Sequence, residues 1–197
     1  MQSLIVFDPA YRNADVLRSI QGYSHPWLIW QFSEAVREGW SPTVRPPKLG
    51  GYTRMGVFAT RSPFRPNALG LSSVRLDGVE RDEKRGTTLL VSGADLMDGT
   101  PIFDIKPYLA YTDAHPEAAG GFAQQNPAGT LAVRCPEALL ALLPETRRAA
   151  LLAVLAQDPR PGYQHEPARV YGFPYAGFEI RYTDADGTLI VTEICPI

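Results

Sequence analysis

Two arginines on a proline-containing turn are the residues best suited to chemistry in this sequence. Arg61 and Arg65 stand four residues apart, with Ser62 and Asn67 beside them. Two prolines stiffen the turn, because proline fixes φ near about −65°. Guanidinium groups held in this way can clamp a carboxylate or a phosphate bidentately. The pattern predicts an anion-binding site, with a rigid connecting turn of solvated arginines as the alternative.

A second polar group occurs in the turn Asp98–Pro101 (DGTP) at a predicted strand end. A carboxylate there can accept hydrogen bonds from ribose hydroxyls or an amino group, while apolar neighbours hold an adenine ring. Asp104 and Lys106 fall on one face of the following strand. Asp-Gly is also the commonest hairpin chemistry, so this motif alone is weak evidence.

Basic residues concentrate around the first of these turns. The chain carries a net charge of −2, yet residues 37–65 contain six basic residues and one acid. This stretch is therefore +5 and the remainder −7. Such a distribution favours one phosphate-facing surface over general coating of nucleic acid, and a solvated charged loop is the alternative.

Composition excludes several classes of protein. The 197 residues fit one domain, or one domain with a small appendage. No apolar run approaches the roughly 20 residues that span a bilayer, and the start lacks a signal peptide, so we expect a cytoplasmic protein. Cys135 and Cys195 are predicted to be buried free thiols, with a structural disulfide as the alternative. The isolated histidines predict no metal site.

Short strands separated by turns must position the polar groups. A helix is predicted over Ala14–Ile20 with Asn13 as its N-cap, and Gly39–Gly56 is predicted to be a long functional loop. The many short strands predict an antiparallel barrel or sandwich. The predicted strands are Leu4–Phe7, Trp27–Phe32, Met55–Ala59, Gly70–Val79, Thr87–Ser92 and Ile102–Ile105.

The pattern changes after about residue 135. Helices are predicted over Pro136–Leu143 and from Pro144 until just before Pro159. Phe178–Tyr182 and Leu189–Ile194 then flank an acidic glycine turn that closes a hairpin. We therefore predict a β domain at 1–130 and a helix-plus-hairpin appendage at 131–197.

The longest segments resemble those of a known family. Gly56–Ser72 (GVFATRSPFRPNALGLS) is similar to the signature GVFATRSPFRPNPIGLS of the TrmO/TsaA family. Asp95–Leu109 resembles the DLxDGTPxxDIKPYL segment of that family. Gly22–Trp30, Thr43–Gly51 and Leu155–Tyr163 match in the expected order, so the resemblance covers nearly the whole chain.

This resemblance implies both a fold and an activity. The implied fold is a TsaA-like antiparallel β-barrel methyltransferase domain with a small α+β C-terminal appendage. The implied cofactor is S-adenosylmethionine, bound near the interface of a homodimer. The implied reaction is N6-methylation of N6-threonylcarbamoyladenosine at position 37 of tRNA, next to the anticodon of threonine tRNAs.

Motif positions imply roles for individual residues. The cofactor-binding positions are Arg61, Leu71, Met97, Asp98, Gly99 and Thr100, with Ser33 and Glu34 where the family has His-Gln. The substrate-binding positions are Arg45, Arg65, Asn67, Lys106 and Tyr108. Asp98 or Asp104 is the expected general base, because the substrate nitrogen must lose a proton. Arg65 or Arg45 is expected to bind the threonine carboxylate, and Trp40, Phe64 and Tyr108 to stack a flipped base.

One departure from the family pattern leaves alternatives open. Family members usually begin with a strand and a Pro-Arg-Gln loop that helps to hold the cofactor, whereas Leu4 here aligns with a later strand. The expected causes are a truncated or misassigned start, or a reduced cofactor site. The alternatives to the enzyme are a non-catalytic relative that binds RNA or a nucleoside, and a structural dimerisation domain. Binding of S-adenosylmethionine separates the enzyme from the non-catalytic relative.

Overall fold

The computed structural model describes residues 2–46, 49, 52–125, 130–160 and 169–197. Backbone contacts divide the chain into two compact units. The first unit comprises Met1–Val44 and Met55–Ala118, and the second comprises Arg45–Arg54 and Ala119–Ile197. Lys48, Pro161–Tyr163 and His165, which belong to segments considered above, lie outside the described residues.

Strands dominate the first unit, so the mainly β class is confirmed. Its regular elements are β1 (Gln2–Val6), β2 (Pro26–Gln31), β3 (Thr43–Val44), β4 (Met55–Gly56), β5 (Leu69–Ser73), β6 (Arg75–Asp82), β7 (Gly86–Ser92), β8 (Ile102–Pro107) and α1 (Ala110–Asp113). Short 3-10 helices cover Pro9–Tyr11, Ala14–Leu17, Ile20–Gly22, Ser33–Ala35 and Val57–Ala59.

The strands of the first unit form antiparallel sheets. One sheet has the order β1-β7-β6, another has the order β5-β2-β8, and β3 pairs with β4. The core contains side chains from both three-stranded sheets, namely Ile5, Leu28, Leu89 and Val91, and from segments between the strands, namely Leu17, Val74 and Ala94. The described strands form no closed ring, so the barrel stays a prediction.

The predicted continuous strand Gly70–Val79 is wrong, because it is two strands in different sheets. The break falls at Val74, which is buried in the core and donates its backbone N–H to the Pro26 carbonyl at 3.0 Å. Alternating apolar residues on either side of Val74 do not reveal this change of partner, because both strands bury one face.

Two further elements of the first unit differ from prediction. The first helix is a 3-10 turn over Ala14–Leu17, although its Asn13 cap is confirmed by a 3.0 Å bond from the Asp15 N–H. Ser19 has a φ of 67°, which no continuing right-handed helix allows. The strand predicted over Met55–Ala59 ends after two residues and continues as a 3-10 turn.

A four-stranded sheet and a helix build the second unit. Its elements are α2 (Phe122–Gln125), β9 (Ala132–Arg134), α3 (Glu137–Leu140), α4 (Glu145–Ala156), β10 (Tyr171–Tyr175), β11 (Phe178–Ala185) and β12 (Thr188–Pro196). The sheet order is β10-β11-β12-β9, and Leu151 and Leu155 of α4 are buried in its core. The predicted hairpin is confirmed, with positive φ at Asp186 and Gly187 as a type I′ turn requires. Cys135 and Cys195 are free and half-buried.

Two kinds of feature are absent from the described ranges. Within them, no helix is long and apolar enough to cross a bilayer. The same ranges contain no group of three or more His, Cys, Asp or Glu arranged to hold a metal ion.

Gly70 permits the close packing that holds β5 against β2. A Cβ at this position would lie less than 3.0 Å from three atoms of the Trp30 ring. We expect Gly70→Ala to lower the free energy of unfolding by about 1–3 kcal/mol, because the ring must shift in a packed sheet. Urea unfolding monitored by tryptophan fluorescence measures this change. Gly78→Ala is the matched control, since a Cβ there meets nothing within 4 Å, and equal losses would contradict the argument.

Candidate functional site

The end of β2 connects two segments that carry predicted site residues. The Gln31 N–H donates to the Pro101 carbonyl at 3.0 Å. This bond joins β2 to the turn Asp98–Pro101, here called the Asp98 turn. The Phe32 N–H donates to the Ala68 carbonyl at 2.8 Å, which joins β2 to residues 61–67, here called the arginine corner. Neighbouring strands lie about 4.8 Å apart. The arginine corner and the Asp98 turn therefore flank the same end of the β5-β2-β8 sheet.

Local hydrogen bonds fix the shape of the arginine corner. The Thr60 hydroxyl donates to the Val57 carbonyl at 2.9 Å and accepts from the Ser62 N–H at 3.2 Å. The Ser62 hydroxyl in turn accepts from the Phe64 N–H at 3.2 Å. Arg65 is half-buried, and its Nη1 donates to the Thr60 carbonyl at 3.1 Å. Arg65 is therefore oriented by the corner itself.

A cavity of about 310 Å³ opens between the arginine corner and the segment that follows β2. We call it the corner cavity. The Arg37 guanidinium carbon lies 4.0 Å from the centre of the Phe64 ring. Two arginines and two amides line the cavity, and none of these described lining residues carries a carboxylate. They are Gln31, Ala35, Val36, Arg37, Gly39, Phe64, Arg65, Pro66, Asn67, Ala68 and Leu69.

The Asp98 turn presents a carboxylate beside apolar surface. Thr100 donates both its backbone N–H and its hydroxyl to the Met97 carbonyl, at 3.2 and 2.7 Å. Gly99 has a φ of 76°, and no atom lies within 4 Å of a Cβ built on it. Met97 is 69% exposed and Leu96 is half-buried. The turn is thus fixed internally and open on its outer side.

Asp104 lies on the outer face of the β5-β2-β8 sheet. It is level with Ile29 and Leu71, and its carboxylate pairs with the Lys106 ammonium at 2.9 Å. The hydrogen bond from Lys106, followed by one from the Ile105 N–H, lowers the pKa of Asp104. A carboxylate with a lowered pKa is a weaker proton acceptor, so this pairing disfavours Asp104 as a general base.

Removal of the Lys106 ammonium group should reverse the lowering of the Asp104 pKa. We expect Lys106→Met to raise the pKa of Asp104 toward its ordinary value of 3.8. A carboxyl-carbon NMR titration of the labelled side chain measures the change. The same titration of the exposed-surface variant Lys84→Met should match the original protein, and an unmoved Asp104 titration in Lys106→Met would exclude the pairing.

Tyr108 lies at the opposite end of β8 from the Asp98 turn. Its ring centre is 5.5 Å from that of Trp27, and its N–H donates to the His25 carbonyl at 2.8 Å. A second cavity of about 330 Å³ opens nearby on the outer face, lined by Trp27, Ile29, Leu71, Lys106, Thr112, Asp113 and His115. The structure therefore separates Tyr108, Lys106 and Leu71 from the corner cavity.

The aromatic residues predicted to stack a base differ in their surroundings. Phe64 has one ring face covered by the Arg37 guanidinium. Trp40 is 55% exposed and lies beside Phe58, with ring centres 6.3 Å apart. Trp40 thus keeps more open aromatic surface than Phe64, next to the 3-10 turn that leads into the arginine corner.

The predicted residues fall into four groups. The end of β2 gathers those of the arginine corner, the Asp98 turn and the short 3-10 turn after β2, namely Ser33, Glu34, Arg61, Arg65, Asn67, Met97, Asp98, Gly99 and Thr100. The outer face holds Leu71, Asp104 and Lys106, and the far end of β8 holds Tyr108. Arg45 belongs to the second unit. Gln31 and Arg37 were not predicted as site residues; the basic stretch begins at Arg37, but Gln31 carries no sequence signal.

The fold and the site define a mainly β protein with a cationic corner and an acidic turn at the same end of one sheet. A family model described as the tRNA-methyltransferase O N-terminal domain matches residues 1–114, and the TrmO C-terminal domain model matches residues 129–197. The chain therefore belongs to the tRNA-methyltransferase O family.

Individual relatives agree with this membership. A protein of Eikenella corrodens named tRNA (adenine(37)-N6)-methyltransferase is 43% identical over 175 residues, covering 89% of this chain and 98% of the relative. A protein of the same name from Escherichia coli K12 is 41% identical over 194 residues, covering 94% of this chain and 82% of the relative. A crystal structure of TrmO from P. aeruginosa matches with a TM-score of 0.76 at 31% identity, covering 100% of this chain and 84% of that one.

Proposed function

We propose that this chain transfers a methyl group from S-adenosylmethionine to N6 of adenine 37 in tRNA, and that the adenine already carries an N6-threonylcarbamoyl group. The observation that carries the proposal is the convergence of the arginine corner and the Asp98 turn at the end of β2. Family membership supplies the reaction class. The finer parts of the proposal are the methylated position, 37, the identity of the base as adenine, and the threonylcarbamoyl group that it already carries.

The residues present at the end of β2 fit S-adenosylmethionine. Met97 and Leu96 offer apolar surface for an adenine ring, and the Asp98 carboxylate offers an acceptor for ribose hydroxyls. The open space in front of Gly99 leaves room for a ligand to approach the backbone. Arg61 supplies an exposed guanidinium, while Ser33 and Glu34 add polar groups at the same end. When bound, the cofactor supplies a methyl group on a positively charged sulfur.

Proton removal is assigned to Asp98. The accepting nitrogen bears a carbamoyl group, so its lone pair is delocalised and its proton must leave during the reaction. Asp98 is exposed, and no ion pair found among the described residues includes it. Asp104 instead shares its charge with Lys106. An unpaired carboxylate is the stronger acceptor of the two.

Substrate recognition is assigned to Arg65 and Asn67 in the corner cavity. A bidentate guanidinium distinguishes the threonine carboxylate of a modified adenine from a bare adenine. Arg45, Lys106 and Tyr108 remain proposed substrate contacts on the basis of the family motifs. Trp40 is the favoured stacking surface, because its ring is exposed.

Assembly as a homodimer belongs to the same proposal. The β5-β2-β8 sheet exposes apolar side chains, with Leu69, Leu71 and Phe103 between 44% and 59% exposed. A second copy covering this face would bury them and add cofactor contacts.

Three other expectations stay predictions. They are the closure of the first domain into a barrel, a boundary near residue 130 between domains 1–130 and 131–197, and a cytoplasmic location. The gap between the two matched family models, 1–114 and 129–197, supports the boundary.

A methylation assay tests the function directly. The protein is incubated with methyl-labelled S-adenosylmethionine and threonine tRNA that carries N6-threonylcarbamoyladenosine, and the digested nucleosides are analysed by mass spectrometry. We expect the label in N6-methyl-N6-threonylcarbamoyladenosine and none in tRNA that lacks the modification. Binding of the modified tRNA without formation of product would instead support the alternative that the chain is a non-catalytic RNA-binding or nucleoside-binding protein.

A further inference from the structure

The corner cavity contains more positive charge than one carboxylate-binding arginine explains. Arg37 and Arg65 both line it, and no acidic residue does. Glu34 and Glu38 are near in sequence, but neither is a lining residue. Arg37 forms no ion pair found among the described residues. Its charge is therefore available to a ligand.

Phe64 holds the Arg37 side chain in place. The guanidinium carbon lies 4.0 Å above the ring centre, which is a cation–π contact. Such stacking occupies one face of the planar guanidinium and leaves its N–H edge free to donate in the plane. An arginine oriented in this way loses less freedom on binding an anion than a solvated one.

Arg65 keeps unused N–H donors that can serve a ligand in the same cavity. A guanidinium has five N–H donors, and the bond to the Thr60 carbonyl uses only the Nη1 group. The amides of Gln31 and Asn67 line the same space and supply neutral donors and acceptors. The N–H edge of a guanidinium matches the two oxygens of a planar carboxylate bidentately, and the amides can bond polar groups beside that carboxylate.

We infer that Arg37, positioned by Phe64, is a second carboxylate-binding residue of the corner cavity. The inference rests on the proposed function and deepens it. The ligand chemistry is an amino-acid carboxylate, with the threonyl group of the modified adenine as one source. The methionyl end of the cofactor is the other source of the same chemistry. Arg37 is thus a carboxylate-binding residue that the family motifs do not identify.

The test compares anticodon stem-loops with three groups at position 37. One carries N6-threonylcarbamoyladenosine, one carries the same nucleoside with its threonine carboxylate converted to an amide, and one carries adenosine. Their dissociation constants are measured by fluorescence anisotropy for the original protein, Arg37→Leu and Arg37→Lys. Calorimetry gives the S-adenosylmethionine dissociation constant of each protein. Arg81→Leu, a charge-matched change on β6 outside the lining residues, is the control.

Loss of a charged hydrogen-bonding partner predicts a weakening of about 10- to 100-fold. Arg37→Leu should raise the dissociation constant of the stem-loop with the threonine carboxylate by this factor. The dissociation constants of the amide and adenosine stem-loops should change by no more than about twofold. Arg37→Lys should recover part of the loss, and Arg81→Leu should affect all three equally. If Arg37→Leu instead weakens only S-adenosylmethionine, the carboxylate is the methionyl one.

Two results would overturn the inference. Equal weakening of all three stem-loops would make Arg37 a phosphate contact, and unchanged binding of stem-loops and cofactor would remove it from the site. All these measurements read binding, so they remain decisive if the methylation assay yields no product. Failure of the proposed reaction and failure of the Arg37 assignment are thereby distinguished.

Discussion

Asp98→Asn is expected to lower the single-turnover rate of methylation by about 10²- to 10⁴-fold. Asparagine keeps the size of the side chain and its capacity to accept a hydrogen bond, but it cannot take up the proton that leaves the substrate nitrogen. The internal bonds of the turn run from Thr100 to the Met97 carbonyl, so the substitution leaves them intact. Rapid-quench kinetics with saturating cofactor measure the rate.

Asp104→Asn is the matched control for this experiment. Its carboxylate is already paired with Lys106 and its pKa is lowered by that hydrogen bond, so we expect a change of no more than a few-fold in rate. A large loss in Asp104→Asn with a small one in Asp98→Asn would reverse the assignment. Rates within a few-fold of the original protein in both variants would remove carboxylate base catalysis altogether.

Arg160→Met is expected to destabilise the second unit more than any surface substitution. The Arg160 side chain is only 8% exposed, pairs with Asp158 at 2.7 Å and also contacts the Asp184 carboxylate. The hydrogen bond that Arg160 donates to the Asp158 carboxylate raises the pKa of Arg160, against the opposing effect of burial. Removal of the cation leaves two partly buried carboxylates without it, which costs about 3–5 kcal/mol. The corresponding drop in Tm is on the order of 10 °C.

Differential scanning calorimetry of the full chain measures this loss. Arg181→Met is the control, because Arg181 and its partner Glu193 are about half exposed and such pairs contribute at most about 1 kcal/mol. Equal Tm values for the two variants would contradict the structural role of Arg160. Arg160 lies four residues after the end of α4, and the positive φ of 52° at Asp158 between them ends the helix.

The turns that form the candidate site are easier to predict from the sequence than the strand boundaries are. The arginine corner and the DGTP turn are local features, and their proline and glycine residues impose turns wherever the chain places them. The same holds for Asn13 and for the Asp-Gly hairpin between β11 and β12. These features depend on interactions within a few residues, which a single sequence contains.

Features that depend on distant partners could not be predicted. The change of sheet at Val74 is determined by the Pro26 carbonyl, 48 positions earlier in the chain. The cation–π contact of Arg37 depends on Phe64, and the bonds from Gln31 and Phe32 are made to segments far away in sequence. No periodicity records these pairings, so Arg37 and Gln31 appear as site residues only in the folded chain.

The central claim is that the arginine corner and the Asp98 turn together hold the methyl donor. A crystal structure of the full chain with S-adenosylmethionine tests it most directly. We predict that the adenosyl group contacts the Asp98 turn and that the methionyl carboxylate contacts Arg61 or Arg37. An adenosyl group bound away from both the corner and the turn would contradict the claim.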